Sequence, residues 1–452
     1  MKNKMKNKIV KLLMCCTLLF TYACTDLEIE STGTAELAPT FVGYASNELS
    51  DSVIPESTAS TETKAQASFL RALGMFVILD NFGQVPFRNL PSDPNADPEV
   101  LTGAAAVDFI VSDLESALTG LPSSNAGDDN VRATTAAANY LLAKVLLNKH
   151  VYVGGSPDSA DMSRVISLVD AIAGDGYALQ SGFFDIFRDS SDSETVWYIN
   201  TGVGNRIFNT LHYNSTTAGG GGWNGFSTLA EYYDLFEGDA NQNRYDADGV
   251  ALDGQEERRG GVPPSGDADG TEGSNVGFGF LIGQQYNVDG SPLQDRAGAP
   301  LAFTREFIST VDGQPSLVDN NEITGIRLIK YNPRFGGFNE HEIFFRYSDA
   351  HLMKAEAMMR SGGDPTAMVN ELRAIRGATP IASVTEQDMI DERGRELYME
   401  FWRRQDLIRF GQYTKNWEFK EGDAVGNSDR NLFPIPASQV ILNPNLVQNP
   451  GY

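Results

Sequence analysis

Two stretches of helical periodicity bracket a long middle tract rich in Gly, Asp, Asn and Ser, and this division constrains the fold most. Ahead of the middle, Phe69, Leu70, Leu73, Phe76, Val77 and Asp80 recur at helical spacing, which predicts a helix over 62–82 closed by Gly83 and Pro86. Further helices are expected over 105–118, over about 132–151 and over 163–173. The third is dense in Ala and Leu, and Ala136, Ala137 and Ala143 permit close helix–helix approach. Tandem helices of this length, joined by short turns, imply a helix-pair array.

From 177 to about 331 the apolar pieces are short, such as Thr195–Ile199 and 325–331. Runs such as GGGG (219–222), GDANQNRYDADG and PPSGDADGTEGSNVG are loop material. One helix interrupts them, where Leu229, Tyr232, Tyr233 and Phe236 keep helical spacing. Loops held by a rigid scaffold are where binding functions tend to sit. From Phe344 the pattern turns helical again, in RYSDAHLMKAEAMMRSG, TAMVNELRAIRG and MIDERGRELYMEFWRRQDLIRFG. The last is expected as one helix with charges about a turn apart: Glu392, Arg395 and Glu396, then Glu400, Arg403 and Arg404. In the closing stretch, LFPIPASQVILNPNLVQNPGY, Pro and Asn exclude a long helix.

The chain opens with Lys2, Lys4, Lys6, Lys8 and Lys11, then an apolar run from Leu12 to Phe20. That is the layout of a secretory signal peptide, too short to span a bilayer, which takes about 20 residues. Cys24 follows Ala23 at the end of the run, and the arrangement resembles a bacterial lipoprotein signal. The resemblance makes 1–23 the signal, Cys24 the lipidated N-terminus and 24–40 a polar tether; ordinary cleavage would instead leave Cys24 a free thiol. Asp26, Glu28 and Glu30 resemble the surface-export signal of Bacteroidetes lipoproteins, and equally suit a solvated acidic tether.

Among the 452 residues, 60 Asp and Glu oppose 35 Lys and Arg, a net charge of −25. Loss of the five leader lysines makes the mature chain −30. Nucleic-acid binding needs Lys and Arg to displace counterions, so a nucleic-acid partner is excluded. The same acidity disfavours polyanionic glycans. With 41 % hydrophobic residues the chain is not disordered throughout, and three cysteines do not make a disulfide scaffold.

Four pieces resemble the SusD/RagB family of Bacteroidetes outer-membrane glycan-binding lipoproteins, in that family's order. They are RALGMFVILDNFGQVPF from Arg71, IFFRYSDAHLMKAEA from Ile343, ERGRELYMEFWRRQDLIRFG from Glu392 and PIPASQVILNPNLVQNPGY from Pro434. The resemblance is thin between about 177 and 325. It implies a mostly α fold, a tetratricopeptide-like helix-pair scaffold with a loop-rich, irregular ligand-binding region. A SusD-like domain would then cover 41–452, with scaffold at about 41–176 and 340–452 and the variable region at about 177–339. It also implies a lipid-anchored protein at the cell surface of the outer membrane. Such a protein binds glycans without catalysis and delivers them to a SusC-like TonB-dependent transporter. The Arg393–Arg409 segment, with Arg346, Asp349 and Glu356, is expected as a scaffold network of ion pairs.

Nothing in the sequence points to an enzyme. The histidines His150, His212, His341 and His351 form no HExxH motif, and there is no GxSxG elbow, no P-loop and no mature cysteine nucleophile. No cofactor is implied. A structural calcium is the one metal to weigh, since Asp239, Asn241 and Asn243, then Asp246 and Asp248, alternate like the opening of a calcium loop. Arg244 stands where an EF-hand needs Gly and Val250 where it needs Glu, which favours a solvated acidic loop over calcium.

A glycan binder uses flat aromatic faces against the C–H face of a pyranose, at about 0.5–1.5 kcal/mol beyond area burial. Candidates are aromatics in loops, because those in periodic segments belong to the core. Trp402 and Trp197 are therefore expected to be buried, and Trp417 is left open. Trp223, in GGGGWNGF, is flanked by flexible glycines and by Asn224, whose amide is expected to bond sugar hydroxyls. Tyr213, Tyr286, Arg334 and Phe335 complete the candidate glycan-binding set. Starch-binding relatives carry a stacking aromatic soon after the piece matched here by NFGQVPF, whereas NLPSDPNADPEVLTG has none. A starch-type site does not carry over, and a neutral glycan, with β-glucans among the candidates, is the expected ligand. A peptide or another non-carbohydrate nutrient, and calcium-assisted glycoside hydrolysis, are the alternatives.

Overall fold

The chain is seen in a computed structural model that describes residues 61–88, 96–188, 190–200, 207, 209–215, 221–239, 254–262, 276–287, 289–332 and 341–452. They fall into two units: the residues up to Gly120 with Leu432–Tyr452, and Leu121–Asn431. The composition boundaries near 177 and 339 both lie inside the second unit. Among the described residues, no helix is long and apolar enough to cross a membrane.

In the first unit the periodic face of 62–82 becomes α1 (Thr61–Phe82), which buries Phe69, Phe76 and Leu79. Each such side chain contributes about 1.5–3 kcal/mol relative to exposure. Gly83, at φ +70°, closes the helix with its N–H on the Leu79 carbonyl. β1 (Gln84–Phe87) then pairs antiparallel with β2 (Glu99–Thr102), which leads into α2 (Gly103–Leu118). The Arg71 guanidinium joins α1 to α2 with two 2.6 Å bonds to Asp113. The C-terminal segment, with a short helix at Ala437–Leu442, is tied to the same place. There Phe433 N–H donates to Asn81 O, and Val447 N–H to Gln84 Oε1.

The second unit opens with α3 (Thr135–Val153) and α4 (Ser159–Gly174). The Thr134 hydroxyl caps α3, and Asp158 caps α4 by accepting from Ala160 and Asp161, so α4 starts earlier than its apolar spacing suggests. α3 is buried nearly all round, Lys144 and Asn148 included.

The loop-like middle is organised by short strands. These are β3 (Thr195–Ile199), β4 (Ser227–Thr228), β5 (Gly260–Gly261), β6 (Phe278–Leu281), β7 (Gly283–Gln284), β8 (Ala302–Phe303) and β9 (Ile326–Ile329). β4, β9, β6 and β5 make an antiparallel sheet in that order, and β7 pairs with β8. The helix expected around Tyr232 is a single turn, α5 (Ala230–Tyr233). Phe183, Phe187, Tyr233, Phe236, Phe280 and Tyr398 give this tract an aromatic core.

β10 (Glu342–Arg346) pairs antiparallel with β3 and leads into α6 (Tyr347–Arg360), α7 (Thr366–Ile375), α8 (Glu386–Glu396) and α9 (Arg403–Arg409). α3 packs on α4 and both meet α6, a helix-pair arrangement. The one long helix expected across α8 and α9 is instead broken, with Met399 and Phe401 at φ +59° and +70°. Buried cations hold the carbonyls at the break. Glu396 O accepts from Lys330 Nζ and Arg346 Nη2, and Tyr398 O from Lys330 Nζ. Glu400 N–H turns to Leu397 O, one residue short of an α-helical bond.

The arginines of this region are structural. Arg346 donates to Glu194, Glu396 and Glu400, and Arg376 to Glu194 and Glu396. Arg258 reaches Glu256, Glu392 and Glu396. Asp349 lies between Lys144 and Arg393, and Arg409 pairs with Glu356 and Asp406. Burial alone would raise Glu392, but Arg258, Arg395 and Arg373 hold it down to about 2. Burial pushes Lys330 down to about 7 despite the Glu400 carboxylate beside it.

Candidate functional site

Two backbone segments of the second unit lie side by side. Gly222 N–H donates to His212 O and Asn224 N–H to Leu211 O, both at 2.9 Å. A Cβ at Gly221 would stand 1.8 Å from the Tyr213 carbonyl oxygen, and one at Gly222 1.9 Å from that of Leu211. These two glycines therefore serve close backbone approach, not the flexibility read from the GGGG run. The pairing sets Trp223 and Tyr213 on neighbouring strands of chain, 55 % and 42 % exposed.

Asn224 sits in the left-handed region at φ +53°, which Asn tolerates better than most residues. Its Nδ2 donates to Glu322 O and its Oδ1 accepts from Arg327 Nε, each at 2.8 Å. The amide expected to bond sugar hydroxyls instead braces the loop at both ends. Arg327 is 3 % exposed and, among the described residues, meets only neutral acceptors, the carbonyls of Thr324, Gly325 and Glu322 besides Asn224. Burial pushes it down to about 10.

Tyr213 carries an arginine. The Arg296 guanidinium carbon is 4.4 Å from the ring centroid, and His212 meets the ring edge-on at 5.2 Å. Glu322 holds Arg296 with both oxygens, one taking the backbone N–H and the other Nε–H. The His212 side chain is buried with Nε2 3.7 Å from Glu322. Its Nδ1 accepts from Asn214 N–H, so the ring proton lies on Nε2, and burial lowers its pKa.

Tyr286 is half-buried, bridged to Pro292, and lines a cavity of about 10 Å³ with Thr210, His212, Gln285 and Phe303. That space fits about one water and no sugar ring. Trp402 and Trp197 are buried as expected, 7 % and 3 % exposed. Trp417 is half-buried with Lys415 Nζ 3.9 Å over its ring.

Cys24, Arg334, Phe335, Asn241, Asn243, Asp246 and Asp248 lie outside the described residues. Asp239 is exposed, and its carbonyl accepts from Arg259. Among the described residues, no group of three or more His, Cys, Asp or Glu side chains is placed to hold a metal. Arg296, Glu322 and Arg327 had no sequence signal, being about a hundred residues from the aromatics they brace.

The fold defines a class: a helix-pair scaffold with a loop-rich region in which Trp223 and Tyr213 are exposed. Known proteins of similar sequence and fold point the same way. Residues 318–452 match the model of the SusD family. The starch-binding protein SusD of Bacteroides thetaiotaomicron is 28 % identical over 425 residues, covering 86 % of this chain and 72 % of that protein. A SusD-like protein from Bacteroides fragilis superposes with a TM-score of 0.65 at 18 % identity, over 93 % of this chain and 86 % of the other. Surface glycan-binding protein A from Bacteroides fluxus does so with a TM-score of 0.63 at 20 % identity, over 94 % and 86 %. The C-terminal third of the chain thus matches the SusD family, and the chain resembles SusD over most of its length.

Proposed function

We propose that this protein binds a polysaccharide or oligosaccharide at the cell surface and passes it to a SusC-like TonB-dependent transporter, without catalysis. The observation that carries the reading is the exposure of Trp223 and Tyr213, on two segments that Gly221 and Gly222 allow to lie against each other. A half-exposed tryptophan offers a flat face to solvent, and a pyranose C–H face is a fitting cover for it. The relatives agree in kind: one is named for starch and another for surface glycans.

A lipid on Cys24 would hold the chain to the outer membrane, with 24–40 as the tether. The −30 charge of the mature chain favours a neutral polymer, with β-glucans among the candidates. Affinity electrophoresis against neutral and acidic polysaccharides tests this. Retardation by a neutral glycan, lost in Trp223→Ala with an unchanged cooperative melt, is expected. Retention only by alginate or a sulfated polymer overturns the neutral assignment, and unchanged retardation of Trp223→Ala removes this surface from binding.

A further inference from the structure

Arg296 is more constrained than an exposed arginine usually is. Its side chain is 63 % exposed, yet three contacts hold it: Nε–H on Glu322 Oε2, its backbone N–H on Glu322 Oε1, and its guanidinium over the Tyr213 ring. A free surface arginine samples many rotamers. Here most of that freedom is already given up, so a ligand meeting this group would lose little more. Glu322 is only 14 % exposed and both its oxygens are engaged. The group turned to solvent is therefore the terminal pair Nη1 and Nη2, which have no partner among the described residues.

We propose that Arg296 is the specificity-determining residue of the glycan surface, and that it selects neutral glycans whose linkage leaves two adjacent ring hydroxyls free. The inference rests on the glycan-binding reading of Trp223 and Tyr213. Two coplanar N–H donors on one carbon suit two acceptors on neighbouring ring carbons. A 1,4-linked hexopyranose presents such a pair, at O2 and O3. A 1,3-linked one does not, because O3 is in the linkage and O2 and O4 are separated by it. The Arg296–Glu322 pair is close to neutral, which lessens its attraction for a carboxylate and suits hydroxyls.

Isothermal titration of the mature chain tests this, with 1,4-linked and 1,3-linked gluco-oligosaccharides of equal length, in α and β series. A preference of about tenfold for a 1,4-linked series is expected, as is its loss in Arg296→Gln, which brings that ligand to the level of the 1,3-linked one. Because Arg296 is exposed, the variant should fold, and its melt is checked. A preference for 1,3-linked chains, or equal weakening of both ligands by Arg296→Gln, overturns the role of Arg296 while leaving the glycan surface standing. Failure of the unsubstituted protein to bind any member overturns both.

Discussion

Arg346 and Glu396 lie 2.7 Å apart with their side chains 1 % and 0 % exposed, and each has further charged partners in the same buried cluster. A buried charge that loses its partner is destabilising by about 3–5 kcal/mol. Arg346→Met should therefore lower the free energy of unfolding by that order, read by urea denaturation. Trp223→Ala, at an exposed position, should change it by less than about 1 kcal/mol.

The same cluster sets the response to acid. Glu356 and Glu392 are held at about 2 by their arginines, against a carboxylate's ordinary 4.5. Their folded values are depressed, so the stability they supply is fully present above pH 4.5 and is lost as pH falls towards 2. Each contributes on the order of 3 kcal/mol at neutral pH. Urea midpoints should decline gently below about pH 6.5, where His150, His212 and His351 have folded values lowered by burial, and drop steeply between pH 4.5 and 3. A flat profile across that window would show these pairs to be unimportant.

Gly222→Ala forces a Cβ against the Leu211 carbonyl, where no flexible atom can yield. The segment carrying Trp223 must then shift. A loss of about 1–3 kcal/mol is expected, with altered Trp fluorescence and weakened glycan retention. Gly283→Ala is the control: its Cβ would meet nothing, though the site is at φ +78°, so it should cost about 1–2 kcal/mol with retention intact.

Asn224→Ala removes the acceptor for Arg327 Nε and the donor to Glu322 O. Leaving buried polar groups unmatched costs about 1–3 kcal/mol, so thermal unfolding should begin earlier. Glycan retention should weaken only in step with the displacement of the loop. A loss of binding with no loss of stability would return Asn224 to direct ligand contact.

Much of the scaffold was legible because its helices obey one period. Phe69, Leu73 and Phe76 mark a face that is buried, whereas the Asp158 cap that starts α4 early lies outside the apolar period. The break between α8 and α9 was not legible, since the cations that claim the Glu396 and Tyr398 carbonyls come from Lys330 and Arg346, far along the chain. Trp223 and Tyr213 could be singled out by their loop setting. Their juxtaposition could not, because it depends on hydrogen bonds between 211–213 and 221–224. The bracing by Arg296, Glu322 and Arg327 was hidden for the same reason: such pairings follow from the register of β9 and its loops, which local composition does not encode.

The most direct test is a crystal structure of the mature chain with an oligosaccharide that it retains in affinity electrophoresis. Sugar rings are expected on the exposed face carrying Trp223 and Tyr213, with at least one ring stacked on Trp223. An oligosaccharide bound elsewhere on the chain, with Trp223 untouched, would contradict the assignment of this surface.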